Sequence, residues 1–190
     1  MKIQILSDLH IKYDPFPLDK VERDLLILAG DIGEGKAAKP FIEAQLEFSE
    51  IIYVLGNHEF QNNHFEQTLA YWQNLELDGL YVLERDTIEI GGITFLGCTL
   101  WSDMLNGDPV TKSLAKSNLN DYKLIWNGDH LLTPDETITL HQKSVEWLEK
   151  ALGSVNGRKV VVTHYLPSRK SLHPSYHSSN VAGTYFSELD

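Results

Sequence analysis

The sequence has little of what marks secreted, membrane-spanning or nucleic-acid-binding proteins. Its single cysteine, Cys98, excludes an internal disulfide and lies in an apolar run typical of a buried, inert thiol. The apolar runs are far shorter than the ~20 residues that a membrane-spanning helix needs. There is no low-complexity tract or repeat, and Met1-Lys2 leads directly into an apolar run without a secretory signal. We therefore expect a cytoplasmic protein with no membrane segment.

Basic residues are also scarce. Sixteen Lys and Arg residues stand against 27 Asp and Glu, which gives a formal net charge of −11. This balance argues against a broad basic surface for duplex nucleic acid. It does not exclude a negatively charged substrate, because bound cations can reverse the sign of the potential inside a cleft. The length of 190 residues, with 42% hydrophobic content, predicts one domain over residues 1–190.

The first half of the chain alternates strand-like and helix-like segments, which predicts an α/β fold with parallel strands. The middle predicts an antiparallel excursion, because Gly91-Gly92 forms a two-residue turn between short strands. Thr133-Pro134-Asp135-Glu136 predicts the start of a long helix. Residues 101–133 have a weak pattern and could form a lid over a cleft. The predicted strands are 3–6, 25–28, 51–55, 81–83, 87–90, 93–97 and 159–162, and the earlier helices are 37–49 and 65–77.

Polar clusters rich in Asp, Asn and His follow four of the strand-like runs. Because open α/β folds bind ligands at the carboxyl ends of their strands, we expect these clusters to form one site. Carboxylates, amide oxygens and imidazoles together suit a divalent metal ion. Each cluster alone is equally a turn or a helix cap, but independent turns would rarely repeat this chemistry four times. The clusters are Asp8-Leu9-His10, Gly30-Asp31, Gly56-Asn57-His58-Glu59 and Thr163-His164.

The spacing within each cluster suggests a role for each side chain. Asp8 and His10 share one face of an extended segment and could chelate one cation. Asp31 has two carboxylate oxygens and could bridge two cations. Asn57 could be a ligand, while His58 faces the substrate and protonates a leaving oxygen or stabilises negative charge. Glu59 could orient a neighbour, and His164 is either the last strand-end ligand or a core histidine.

Taken in order, these motifs resemble those of the calcineurin-like metallophosphoesterases. The family series Asp-x-His, Gly-Asp, Gly-Asn-His-Asp/Glu and a strand-end His is matched across essentially the whole chain. Residues 99–101 and 163–168 are also similar to a bacterial branch of phosphohydrolases. The resemblance implies a four-layer αββα sandwich with mixed sheets. It also implies a metal-dependent hydrolase that acts on phosphomonoesters or phosphodiesters, with a small phosphoester as substrate.

The resemblance further implies two divalent metal ions, manganese, iron or zinc, bridged by one Asp and a hydroxide. Asp8 and His10 would bind the first ion, and Asp31 would bridge. Asn57 and His164 would bind the second ion. The catalytic residues would be Asp31 and His58, which would assist the leaving group during in-line attack on phosphorus.

The final motif of the family, Gly-His-x-His, has no counterpart after His164. The remaining His173 and His177 flank Pro174, which disfavours a regular helix, so we expect loop residues near the cleft. Without this motif both ions would have fewer ligands and weaker binding. Because residues 185–190 resemble the beginning of a helix, we expect a truncated domain. A longer chain would hydrolyse phosphoesters, whereas these 190 residues would be weak or inactive.

Two other functions fit the same residues. One is a catalytically impaired or non-catalytic scaffold of the same fold, and the other is a nuclease, which the acidic balance disfavours. Arg169 and Lys170 could meet a substrate phosphate, although a solvated loop also explains them. These donor types suit several divalent ions, and the same residues are compatible with a monoester or a diester substrate and with any oligomeric state.

Overall fold

Two β-sheets packed face to face form the centre of the computed structural model, which describes residues 1–11, 18 and 21–189. The first sheet is entirely parallel, and its strands lie in the order β1-β2-β3-β4. These strands are β1 (Ile3–Leu6), β2 (Leu25–Ala29), β3 (Glu50–Val54) and β4 (Leu80–Val82). This order follows the predicted alternation of strands and helices.

The second sheet is mixed. It contains β5 (Asp86–Ile90), β6 (Ile93–Cys98) and β9 (Arg158–Thr163) in the order β5-β6-β9. The predicted hairpin at Gly91-Gly92 joins β5 to β6 in antiparallel pairing, and β9 then pairs parallel to β6. Two short strands, β7 (Trp126–Asn127) and β8 (His130–Leu131), form a separate ribbon.

Alternate side chains of a strand point to opposite faces of the first sheet, as the two-residue period of a strand requires. On β2, Leu25 and Ile27 pack against Phe95 and Val162 of the second sheet. The intervening Leu26 and Leu28 belong to a larger cluster that includes the helices. β2 and the apolar part of β3 therefore read as continuous apolar runs because both of their faces are covered, whereas the edge strand β1 leaves Ile5 65% exposed.

Helices cover the outer faces of the two sheets and complete the predicted four layers. Trp72 on α2 meets Tyr53 of β3 with ring centroids 5.1 Å apart, and α6 packs on β6. The α6 helix begins with the capping box that the sequence predicts, formed by Thr133 and Glu136. The helices are α1 (Lys39–Leu46), α2 (Phe65–Gln73), α3 (Met104–Gly107), α4 (Pro109–Asn118), α5 (Asp121–Leu124) and α6 (Pro134–Ser154).

Several local predictions differ from the structure. The helices α1 and α2 are shorter than the predicted 37–49 and 65–77. For α2, the backbone N–H and side-chain amide of Asn74 both donate to the Ala70 carbonyl, which closes the helix. The weak pattern of residues 101–133 contains three short helices and the ribbon, each too short to show a clear period.

The predicted helix over residues 185–190 is wrong for its described part, residues 185–189. Leu166 and Phe186 instead form a parallel β-bridge, with Leu166 N–H donating to Tyr185 O and Ser187 N–H donating to Leu166 O. This pairing satisfies the backbone groups that a helix would otherwise pair internally. Asp190 lies outside the described residues. No helix among the described residues is long and apolar enough to cross a bilayer.

Candidate metal centre

The segments that follow β1 and β2 continue to pair beyond the strands and thereby place the first predicted ligands side by side. Asp8 N–H donates to Gly30 O at 3.1 Å, and His10 N–H donates to Asp31 O at 3.0 Å. Because both strands are parallel, their carboxyl ends reach the same edge of the sheet. Asp8 and His10 are thus held beside Asp31.

Three of these predicted ligands have left-handed backbone conformations. The φ angles are 55° at Asp8, 49° at His10 and 55° at Asp31. A residue with a side chain costs about 1–3 kcal/mol in this region, and such residues cluster at functional sites. The hydrogen bonds between the two turns maintain these left-handed conformations. Their clustering at one edge of the sheet supports a functional role for this edge.

Asp31 lies at the centre of the cluster and is 4% exposed. Its Oδ1 accepts a hydrogen bond from His58 N–H at 2.9 Å and lies 3.4 Å from His164 Nε2. Burial raises the pKa of Asp31, but the hydrogen bond and charge of His164, together with His58, outweigh burial and lower the pKa. A Cβ at Gly56 would lie only 2.2 Å from Asp31 Oδ1, so glycine is required there.

His164 directs one ring nitrogen toward this cluster. Its Nδ1 lies 2.9 Å from Ala29 O, and since a carbonyl can only accept, Nδ1 carries the proton. Its Nε2 lies 3.1 Å from Asn57 Oδ1. Burial lowers the pKa of His164, but the hydrogen bond and charge of Asp31 prevail and raise it to about 9. When the ring is neutral, Nε2, Asn57 Oδ1 and Asp31 Oδ1 are three converging acceptors, an arrangement that fits a cation.

Glu59 organises the backbone around Asp31, in keeping with the orienting role suggested by the sequence. Its fully buried carboxylate accepts four backbone N–H groups. Those of Asp31 and Gly56 donate to Oε2 at 3.0 and 2.6 Å, and those of Ile32 and Gly33 donate to Oε1 at 2.7 and 3.0 Å. Burial and repulsion by Asp31 raise the pKa of Glu59, while the bonds from Gly33 and Gly56 oppose this.

Two groups of donors in the described part of the chain could each hold a metal ion, and they share one residue. The ligand atoms of His10, Asp31 and His58 all lie within 4.8 Å of one another, as do those of Asp8, Asp31 and His164. Asp31 thus belongs to both groups of candidate ligands. Mixed carboxylate and imidazole donors suit divalent ions, so the residues fit the metal implied by the motifs.

A family model for calcineurin-like phosphoesterases matches residues 1–188. The chain belongs to this family. It is 26% identical over 210 residues to "Uncharacterized protein L509" of Acanthamoeba polyphaga mimivirus, a match that covers 96% of this chain and 71% of the viral protein. Among solved structures, it is similar to the phosphopantetheinyl hydrolase PptH from Mycobacterium tuberculosis. The TM-score is 0.70 at 16% identity, and the match covers 98% of this chain and 75% of that protein.

In this calcineurin-like phosphoesterase, all six predicted site residues line one cleft of about 580 Å³. This cleft is large enough to hold a small ligand. The cleft is also lined by residues from the 101–133 segment and from the loops after β9. The predicted site residues are Asp8, His10, Asp31, Asn57, His58 and His164, and the other lining residues include Asn118, Asn120, Asp121, Ser171, His173, Tyr176 and Tyr185.

Two buried polar residues of the phosphoesterase cleft, Asp121 and Gln61, are absent from the sequence prediction. Asp121 is 2% exposed, and its Oδ1 accepts hydrogen bonds from Asn57 Nδ2 and Gln61 Nε2, both at 2.8 Å. Burial raises the pKa of Asp121, and the two amides lower it only in part. Asp121 lies in the weakly patterned segment, 64 residues from Asn57, so no local signal could have identified this contact.

The loop after β9 contributes to the cleft only through some of its residues. His173 lines the cleft, as expected for a loop histidine near it. His177 instead has its Nε2 3.0 Å from Leu172 O. The guanidinium of Arg169 lies 6.0 Å from the centre of the Phe186 ring, and the described residues that line the cleft include neither Arg169 nor Lys170.

Proposed function

We propose that this chain hydrolyses a small phosphoester through two divalent metal ions. The observation that carries the proposal is the sharing of Asp31 by two donor groups. By the resemblance of the motifs, Asp8 and His10 would serve the first ion, Asn57 and His164 the second, and Asp31 would be shared. The two donor groups divide these residues differently, with His10 beside His58 and Asp8 beside His164, and only the shared position of Asp31 is common to both. Paired divalent ions would supply an activated water near neutral pH and neutralise charge on the phosphate group.

The residues around the ions have separate tasks in this proposal. Glu59 fixes the backbone at Asp31. The Asp31 carboxylate is thereby preorganised for the two metal ions. The His58 side chain is about one-third exposed and lies in the cleft, with Nε2 3.7 Å from Asp31 Oδ2. From this position it can donate a proton to the leaving oxygen or stabilise negative charge on the substrate.

Metal affinity should be modest. In this assignment each ion has three protein ligands, with Asp31 shared, and the sequence has no Gly-His-x-His motif to add more. Since affinity depends on ligand number and geometry, we expect weak binding and slow turnover by the 190-residue chain.

Two assays test the proposal. In the first, the metal-free 190-residue protein is titrated with Mn²⁺ in a calorimeter, and in the second, hydrolysis of p-nitrophenyl phosphate and bis-p-nitrophenyl phosphate is measured. We expect two equivalents of Mn²⁺ and metal-dependent release of p-nitrophenol. Asp31→Asn should lose both metal binding and hydrolysis. The matched control is Asp78→Asn, because Asp78 is an exposed aspartate outside the cleft.

Each alternative gives a distinct result. One equivalent of Mn²⁺ would overturn the dinuclear assignment. Two equivalents without turnover of either ester would favour the scaffold and overturn the enzymatic part of the proposal. Hydrolysis that Asp31→Asn leaves unchanged would show that the activity arises elsewhere.

A further inference from the structure

Asp121 is a buried carboxylate at the rim of the metal centre that belongs to neither group of candidate ligands. It is the first residue of α5, and its carboxylate contacts side chains of the turn that follows β3. Its contacts there are the side-chain amides of Asn57 and Gln61, which both donate to the same carboxylate oxygen. Both hydrogen-bond partners of this Asp121 oxygen are therefore neutral amides.

The chemistry of these contacts determines which way the Asn57 amide points. A carboxylate oxygen only accepts hydrogen bonds, so it must face the NH₂ group of the amide. The Asn57 oxygen then points away from Asp121 and toward His164, with Oδ1 3.1 Å from Nε2. A rotated amide would bring two oxygens together at Asp121, without a proton between them and out of contact with water.

This orientation matters because only the oxygen of an asparagine amide ligates a hard cation. The NH₂ group has no available lone pair and would turn a donor toward the metal. An unrestrained amide can adopt both orientations, so part of the population would be unable to bind.

We propose that Asp121 is a positioning residue that selects the metal-binding orientation of the Asn57 amide. Gln61 donates to the same oxygen and helps to keep the Asp121 carboxylate in place. In this proposal Asp121 acts on the metal through Asn57 and is not itself a ligand. This inference rests on the proposed metal centre, in which Asn57 serves the second ion.

The first experiment compares Asp121→Ala with Glu84→Ala. Glu84 is a matched control, since its buried carboxylate also accepts two hydrogen bonds at one oxygen, from Thr99 N–H and Thr99 Oγ1 at 2.8 and 2.9 Å. Both variants should lose stability in urea. Loss of a residue that orients a ligand typically lowers metal affinity about 10–100-fold, and we expect this loss for one of the two Mn²⁺ equivalents in Asp121→Ala only.

A second experiment reverses the direction of the hydrogen bond. Asn57→Asp alone places two carboxylates in contact and should impair folding and Mn²⁺ binding. Combined with Asp121→Asn, it restores one donor and one acceptor, and an oxygen remains available for the metal. The double variant should therefore bind Mn²⁺ more tightly than Asn57→Asp.

A third measurement needs no metal. The side-chain NH₂ protons of Asn57, assigned by ¹⁵N NMR, should exchange with solvent more slowly in the metal-free wild-type protein than in Asp121→Ala. Equal exchange rates, or an Asp121→Ala affinity equal to that of Glu84→Ala, would overturn the positioning role. Failure of the wild-type protein to bind Mn²⁺ would instead overturn the proposed function, so the two failures are distinguishable.

Discussion

Replacing Glu59 by Gln tests the inference that one buried carboxylate holds the backbone of the metal centre. In the wild-type protein each oxygen accepts two backbone N–H groups, from Asp31 and Gly56 at Oε2 and from Ile32 and Gly33 at Oε1. A glutamine side chain retains one oxygen and can satisfy one of these pairs. Its NH₂ group must face the other pair, so two buried N–H groups lose their acceptors.

The magnitude follows from the number of orphaned donors. Each buried N–H without an acceptor costs about 1–3 kcal/mol, so two cost about 2–6 kcal/mol. Relief from burying a carboxylate charge near Asp31 offsets part of this cost, in line with the raised pKa of Glu59. We expect Glu59→Gln to reduce the free energy of unfolding by about 2–4 kcal/mol.

Equilibrium unfolding in urea at pH 7, followed by circular dichroism, measures this loss. The matched control is Glu149→Gln, the same substitution at an exposed position of α6, which should change stability by no more than about 0.5 kcal/mol. Mn²⁺ binding should also weaken in Glu59→Gln, because the backbone that carries Asp31 loses its anchor. If the two variants unfolded at the same urea concentration, the anchoring role would be refuted.

Three further predictions concern other parts of the molecule. Gly56→Ala places a Cβ against Asp31 and should abolish Mn²⁺ binding in calorimetry, whereas Gly153→Ala in α6 meets no atom within 4 Å and should leave binding unchanged. Burial lowers the pKa of His141, so stability should fall as pH drops below about 6.5, and urea unfolding of His141→Asn should show a smaller fall. Burial raises the pKa of the Cys98 thiol to about 12, so iodoacetamide should label it, as detected by mass spectrometry, only after unfolding.

Each of these predictions has a result that contradicts it. Gly56→Ala with wild-type Mn²⁺ affinity would show that the turn can move away from Asp31. Parallel stability curves for wild type and His141→Asn between pH 7 and 5 would show that His141 accepts a proton without cost. Rapid labelling of Cys98 in the folded protein would contradict its burial.

Much of the fold was predictable because the relevant signals are local. The central strands β2 and β3 carry continuous apolar runs, and both of their faces are buried, so pattern and structure agree. The Gly91-Gly92 turn and the Thr133 capping box are likewise short-range signals. Helix ends and the segment after His164 were less predictable, because hydrogen bonds such as that between Leu166 and Tyr185 decide them.

The sequence by itself determined which donor types this protein carries and where along the chain they occur. Asp8, His10, Asp31, Asn57 and His164 all follow strand-like runs, and parallel strands bring their ends to a common edge. Composition, order and spacing were therefore enough to predict a metal site at one sheet edge, and the resemblance of the motif series to a known family implied the phosphoesterase fold.

Only the tertiary structure decided which donors meet. His164 approaches Asn57 across 107 residues of sequence, and Asp8 lies with Asp31 and His164 in one donor group. The orientation of the Asn57 amide depends on Asp121, which belongs to a segment with no clear pattern of its own. Hydrogen bonds have a range of about 3 Å and act through space. Their partners are therefore set by the packing of elements that are distant in the chain, and no local spacing records them.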